Sequence, residues 1–180
     1  MMIRIAAVAV IAVLSSSCAE REGPSSVPEP SRESQVYAAI VRQLVTVDHT
    51  FGGGDPGFRV IYVLDRAAPD ADDAMGAVEA DGPPIPVRVQ EEIRAALADL
   101  PPVRFVATSR DVVEPMAEGG AVMNHGALVT LGTIPPGEDR VEVGASLYIA
   151  NLAGTWLTYV VELAGDGWAV TGTTGPVAIS

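Results

Sequence analysis

The sequence has no lysine and only one cysteine. All 11 basic residues of the 180-residue chain are arginine, so chemistry that depends on a lysine amine, such as Schiff-base formation, is excluded. A single cysteine, Cys18, can form neither an intramolecular disulfide nor a four-cysteine zinc site. The cysteine is therefore informative only through its position in the chain.

Aromatic residues and positive charges are also scarce. Aromatic side chains make up 5% of the chain, and 23 acidic residues give a formal net charge of −12. Such a surface repels phosphate backbones, and nucleic-acid binding requires a basic stripe with interleaved aromatic residues. Nucleic acids are therefore excluded as partners. The acidic surplus is by itself typical of soluble domains and identifies no other partner.

Common catalytic motifs are missing as well. The chain has no Gly-x-Ser-x-Gly or Ser-x-x-Lys sequence, which excludes two familiar types of serine nucleophile. The glycine-rich segment Gly52–Gly57 lacks the lysine and the hydroxyl of a phosphate-binding loop, and it precedes a predicted strand rather than a helix. This segment is interpreted as a flexible connection, and no cofactor is expected.

The N-terminus, by contrast, has the order of a secretory signal. Arg4 precedes an apolar run from Ile5 to Leu14, and three serines separate that run from Cys18. The run has about ten residues, roughly half of what a helix needs to span a hydrocarbon core of ~30 Å. Residues 1–17 are therefore predicted to be a cleaved signal peptide.

The residues around Cys18 resemble the bacterial lipoprotein signal. Small residues precede a cysteine that would become the first mature residue, although Ser15 stands where that class usually has leucine. The resemblance implies export and attachment of a palmitate-type lipid to Cys18. The lipid would anchor the protein to the cell membrane or the outer membrane. The alternative is an ordinary secretory signal that is cut after Ala19.

Residues 18–33 are predicted to be a flexible tether. They are rich in proline, serine and glutamate, and Pro24, Pro28 and Pro30 block both helix and sheet. At about 3.1 Å per residue, such an extended segment reaches ~45 Å. Residues 34–180 would then form a single globular domain that stands clear of the lipid headgroups.

The first half of this domain contains two predicted helices and two predicted strands. Ser34 is expected to cap a helix that ends near Val47, and a second helix is expected to begin near Pro86 and to end before Pro101. Runs of β-branched and aromatic residues predict strands at 58–64 and 103–107. Residues 66–84 are expected to form a loop.

The second half is predicted to be a β-meander. Apolar and polar residues alternate at 141–149 and 157–163, and further strands are expected at 128–134 and 168–170. The predicted fold class is therefore α+β, with two N-terminal helices packed on an antiparallel sheet that ends in a C-terminal meander. This order of elements is similar to the nuclear-transport-factor-like and cystatin-like folds.

Three polar residues are candidates for catalysis. Asp48, His49 and His125 could provide a general base or a metal site if folding joined their two loops, which supports the alternative hypothesis of a small hydrolase or metal-dependent enzyme. The acidic loop 65–81 offers carboxylates of the type that calcium prefers. Because their spacing fits no familiar calcium loop, a solvated acidic loop is favoured.

The leading hypothesis is a non-enzymatic binding or accessory domain of the cell envelope. Tyr148, Trp156 and Thr158 belong to the strand face opposite the main aliphatic side chains, where they would form a surface for an envelope protein or a small ligand. An inhibitor that is steered by its acidity towards a basic enzyme is a further alternative. The sequence does not separate these two roles.

Overall fold

The computed structural model describes residues 29–180 apart from residues 53, 75–79, 119, 138 and 166. The predicted signal peptide, Cys18 and the predicted tether up to residue 28 lie outside the described residues. So do Glu79 of the acidic loop and Asp166 of the last predicted hairpin. In the described part of the chain, no helix combines the length and the apolar character that a membrane span requires.

Helix α1 (Arg32–Thr46) begins earlier than predicted. Its N-cap is Ser31, whose Oγ accepts a hydrogen bond from the backbone nitrogen of Ser34 at 3.3 Å. Ser34 itself lies within the first turn, is 1% exposed and donates its hydroxyl hydrogen to the carbonyl oxygen of Ser31. The predicted start was wrong because both serines suit a cap, and the sequence did not show which one folding would bury.

Helix α2 (Val87–Ala96) agrees closely with the prediction. Pro86 occupies its N-cap position, and Leu97 follows its last turn. The buried side chains Val89, Ile93 and Leu97 recur at helical spacing and join the main apolar core.

Six strands form one mixed sheet within the described residues. They are β1 (Val60–Leu64), β2 (Val103–Val106), β3 (Gly126–Leu131), β4 (Arg140–Ala150), β5 (Ala153–Ala164) and β6 (Gly167–Ile179), in the spatial order β2-β1-β3-β4-β5-β6. Strands β3 to β6 pair antiparallel with their neighbours. The predicted C-terminal meander is therefore confirmed.

The prediction of a wholly antiparallel sheet was wrong. Strand β1 runs parallel to both β2 and β3. The connection from β1 to β2 contains α2, and the connection from β2 to β3 spans residues 107–125. Connections of this length carry the chain back to the end of the sheet from which it started, so that the next strand runs in the same direction. The fold is α+β with a mixed sheet.

The sheet carries apolar clusters on both faces. The larger cluster joins α1 and α2 to alternate residues of the strands, such as Ile61, Val129 and Leu147. The smaller one, on the other face, contains residues of β1 and β3 together with two residues from the connection after β2: Val60, Tyr62, Leu64, Leu128, Val112 and Val122. Residues 107–125 therefore cover the face of β1 and β3 that the helices leave open.

Candidate functional site

The candidate catalytic residues after α1 are engaged in internal contacts. The Oδ2 atom of Asp48 accepts hydrogen bonds from the hydroxyl of Tyr159 at 2.9 Å and from Nε2 of Gln43 at 3.0 Å. His49 is 6% exposed, and its Nδ1 accepts a hydrogen bond from the backbone nitrogen of Phe51 at 3.3 Å. These contacts tie Asp48 to the core and the His49 ring to its own loop.

His125 lies elsewhere, in the turn that precedes β3, and its side chain is exposed. Among the described residues, no group of three or more His, Cys, Asp and Glu is arranged to hold a metal ion. The structure therefore does not assemble Asp48, His49 and His125 into a set of ligands. The same finding applies to the described carboxylates of the acidic loop, of which Asp72 accepts a hydrogen bond from Thr158.

The three predicted ligand-binding residues do share one face of the sheet. Ser146 pairs with Trp156 and Gly144 with Thr158, and these residues alternate with core residues along β4 and β5. The hydroxyl of Tyr148 donates to the carbonyl oxygen of Gly120 at 2.6 Å, and that of Thr158 donates to Asp72. The polar atoms of both side chains are thus used by loops that cross this face. A ligand on this face stays a prediction.

A concave site lies at one end of the sheet, where β1 and β3 begin and β4 ends. This sheet-end cavity has a volume of about 830 Å³ and is open to solvent. Its walls come from the glycine-rich segment before β1, the start of β1 and β3, the turn before β3, Arg104 of β2 and the end of β4. A cavity of this size falls within the range of small-molecule sites in proteins.

Part of the lining of the sheet-end cavity is apolar. It includes Phe51, Phe58, Met123 and Ile149. Phe51 is 54% exposed, and its ring meets that of Phe58 edge to face with the centroids 6.5 Å apart. An aromatic side chain held so far out of the core beside a cavity provides a surface on which a flat ligand can pack.

Polar and charged residues also line the sheet-end cavity. They are Arg59, Arg104, Asn124 and His125, together with one acid, Glu114. Both arginine side chains are exposed. The cavity therefore combines an apolar wall with groups that can donate hydrogen bonds to a ligand.

Arg59 and Arg104 differ from most of the described arginines. Arg32, Arg42, Arg88, Arg94 and Arg140 each contact an acid or an aromatic ring, and Arg110 also has a partner. Among the described arginines, those whose side chains have no hydrogen bond, ion pair or ring contact are Arg59, Arg66 and Arg104. Two of these three unpaired guanidinium groups line the sheet-end cavity.

The turn before β3 is held in an unusual backbone conformation. Asn124 and His125 have φ values of 60° and 52°, in the left-handed region that costs a non-glycine residue of the order of 1–3 kcal/mol. The side chain of Asn124 donates to the hydroxyl of Tyr62 at 2.9 Å, and the backbone nitrogen of Arg59 donates to the carbonyl oxygen of His125 at 3.0 Å. These bonds fix the turn against the start of β1.

Gly126 completes this arrangement. A Cβ atom at this position would lie 2.9 Å from both Cε2 of Tyr62 and the carbonyl oxygen of Met123. The close approach of the turn to β1 therefore requires glycine. In the sequence, the segment Met123-Asn124-His125-Gly126 indicates a histidine for catalysis or metal binding, whereas Arg59 and Arg104 are isolated arginines that give no signal of a site.

Comparison of the chain with protein-family models, curated proteins and solved structures found no match. The described residues form an α+β domain that has a mixed sheet and an open, partly cationic cavity at one end of that sheet.

Proposed function

We propose that this chain is an exported protein, anchored by a lipid on Cys18, and that its domain is a non-enzymatic binding module whose ligand occupies the sheet-end cavity. The observation that carries the binding role is the cavity itself, where exposed Phe51 and two unpaired arginines line one space of about 830 Å³. Helices α1 and α2 act in this proposal as a fixed support for the sheet.

The binding role is tested with a neutral dye. N-phenyl-1-naphthylamine fluoresces more strongly in apolar surroundings, so a titration with the protein reports occupation of an apolar site. The titration uses a soluble chain of residues 19–180, which lacks the predicted signal peptide and Cys18. This chain contains all of the described residues, which begin at residue 29. We expect saturable binding of the dye to this chain, and weaker binding to the variant Phe51→Ser because that variant removes the exposed ring from the cavity wall.

Val177→Ser is the matched control for this titration. Val177 is 53% exposed, close to the value for Phe51, but it belongs to β6 and does not line the cavity. This variant should bind the dye as the unchanged protein does. Equal weakening by both variants would place the dye on general apolar surface, and an absence of saturable binding would also count against the proposed function.

The anchored location is tested separately by intact mass. The full chain, produced in a bacterium that processes lipoproteins, is extracted from membranes beside a Cys18→Ser form. A product that begins at Cys18 and carries two or three acyl chains, absent from the Cys18→Ser form, is expected. An unmodified product that begins elsewhere, for example after Ala19, would show a free secreted protein and leave the binding role to be judged on the dye titration.

A further inference from the structure

We propose that the ligand of the sheet-end cavity is a small organic anion with a flat apolar body, of the class of aromatic carboxylates, sulfonates and phosphates. This inference rests on the proposed function and adds the chemistry of the ligand to it. It is carried by the juxtaposition of Arg59 and Arg104 with the aromatic wall formed by Phe51 and Phe58.

The unpaired arginines select a negative charge. A guanidinium group presents several N–H donors and no acceptor, and it remains positive at any physiological pH. The chain as a whole has a net charge of −12, so an anion is repelled by most of the surface. Two unpaired guanidinium groups at one cavity therefore attract an anion locally, against the repulsion from the net negative charge of the chain. Glu114, which lines the same space, reduces this attraction.

The aromatic wall selects an apolar body beside the charge. An inorganic anion would use the arginines and leave the exposed ring of Phe51 in water, whereas a ring-sized ligand removes that apolar surface from water. Asn124 and His125 line the same cavity on a turn that is fixed by its hydrogen bonds to Tyr62 and Arg59. Fixed polar groups of this kind orient a ligand in its binding site.

A pair of dyes tests the charge of the ligand. 8-Anilino-1-naphthalenesulfonate has the same phenylaminonaphthalene body as the neutral dye and adds a sulfonate. Fluorescence titrations of both dyes are compared for the unchanged soluble chain, Arg59→Gln and Arg104→Gln. Because hydrogen bonds to charged groups are worth more than neutral ones, each variant should weaken binding of the sulfonate dye by about tenfold. Binding of the neutral dye should change by less than about twofold, since it makes no such bond.

Arg66→Gln provides the matched control. Arg66 is the third unpaired arginine of the described residues, it is exposed, and it does not line the cavity. This variant changes the net charge by the same amount as the two cavity variants, and it should leave the affinity for both dyes unchanged. Circular dichroism of each variant verifies that the fold is retained, and Arg59→Lys and Arg104→Lys, which keep the charge, should recover part of the lost affinity.

The outcomes separate this inference from the proposed function. If the neutral dye binds in a Phe51-dependent manner while both arginine variants bind the sulfonate dye normally, the cavity is a binding site but its ligand is not an anion. If Arg66→Gln weakens the sulfonate dye as much as the cavity variants do, the effect is one of net charge, and the inference is also overturned. If neither dye binds, the proposed function falls as well.

Competition identifies the source of the anion. A free aromatic acid and the headgroup of an anionic lipid can both present a negative charge beside an apolar body. Naphthalene-2-carboxylate and dihexanoyl phosphatidylglycerol are therefore added in turn to the complex with the sulfonate dye. Displacement by the acid alone supports a soluble aromatic ligand. Displacement by the lipid alone overturns the flat-ring part of the inference and points to a headgroup.

Discussion

Tyr159 connects strand β5 to the segment that follows α1 through a single hydrogen bond. It is 0% exposed, and its hydroxyl donates to Oδ2 of Asp48 at 2.9 Å, across 111 residues of sequence. The variant Tyr159→Phe removes this bond and leaves the carboxylate of Asp48 with Gln43 as its remaining side-chain donor. We expect the free energy of unfolding, measured by urea denaturation at neutral pH, to fall by about 1–3 kcal/mol.

Tyr37→Phe is the control for this prediction. Tyr37 is also buried, but its hydroxyl donates to a neutral group, the carbonyl oxygen of Gly132, at 3.0 Å. The loss should be smaller, at about 0.5–1.5 kcal/mol, because neutral hydrogen bonds contribute less than those to charged groups. A loss for Tyr159→Phe no larger than that for Tyr37→Phe would contradict the prediction.

Tyr159 should also make the free energy of unfolding depend on pH in the alkaline range. Burial, followed by the charge of Asp48, raises the pKa of Tyr159 well above its usual value. The folded state therefore favours the neutral phenol, and the resulting stability is complete below the unfolded pKa of about 10 and is lost as the pH rises above it. The stability advantage of the unchanged protein over Tyr159→Phe should accordingly shrink above that pH.

At the scale of elements, the two helices are joined where α1 begins. Glu92 of α2 accepts hydrogen bonds from the backbone nitrogen of Ser31 at 2.9 Å and from its hydroxyl at 2.5 Å. These bonds from Ser31, followed by one from Arg88, lower the pKa of Glu92 to about 2. One carboxylate therefore holds the N-cap of α1 and fixes α2 beside it.

The variant Glu92→Gln should lower stability in a pH-dependent manner. A lowered pKa means that the contribution of Glu92 is complete above the unfolded pKa of 4.5 and is lost as the pH falls towards 2. The difference in unfolding midpoint between the two proteins should thus be largest near neutral pH and should narrow below pH 4.5. Arg88→Gln, which retains both bonds to Ser31, should have a smaller effect. If Arg88→Gln matched Glu92→Gln, the ion pair rather than the cap would be the stabilising contact.

The elements were largely predictable from the sequence, whereas their directions were not. Hydrophobic periodicity located both helices and the meander, because it reports which side chains become buried. The run Val60–Leu64 is buried at every position, which is typical of a strand covered on both faces. An apolar run of this kind is compatible with a parallel and with an antiparallel sheet, so it does not indicate the direction of the strand. The full length of β6 was missed because its glycine- and threonine-rich sequence has no alternation and is held by backbone pairing with β5.

The sheet-end cavity was not predictable for a related reason. Arg59 and Arg104 are 45 residues apart, and single arginines are common on a surface. Strand β2 pairs parallel to β1, and this pairing places Arg104 opposite Tyr62, another residue that lines the cavity. A prediction of antiparallel pairing removes that juxtaposition. The site therefore depends on the direction of β2, which hydrophobic periodicity does not indicate.

At the scale of the whole molecule, the excess of acidic residues should make stability depend on salt. The soluble chain of residues 19–180 lacks Arg4, so it has 10 arginines against 23 acidic residues and a formal net charge of −13. Its compact state brings like charges together and is destabilised by their repulsion. Raising NaCl from about 0.01 M to about 1 M shortens the Debye length from about 30 Å to about 3 Å and screens that repulsion. We expect the thermal midpoint of the soluble chain to rise over this range at neutral pH.

The control for this effect is the same salt series near pH 4.4, the isoelectric point of the sequence. The net charge there is close to zero, so there is little repulsion to screen, and the ion pairs of Arg42 and Arg140 are weakened by salt instead. The midpoint should stay constant or fall. A rise of equal size at both pH values would mean that salt acts through general exclusion from apolar surface rather than through charge. The acidity of this protein would then be a matter of solubility alone.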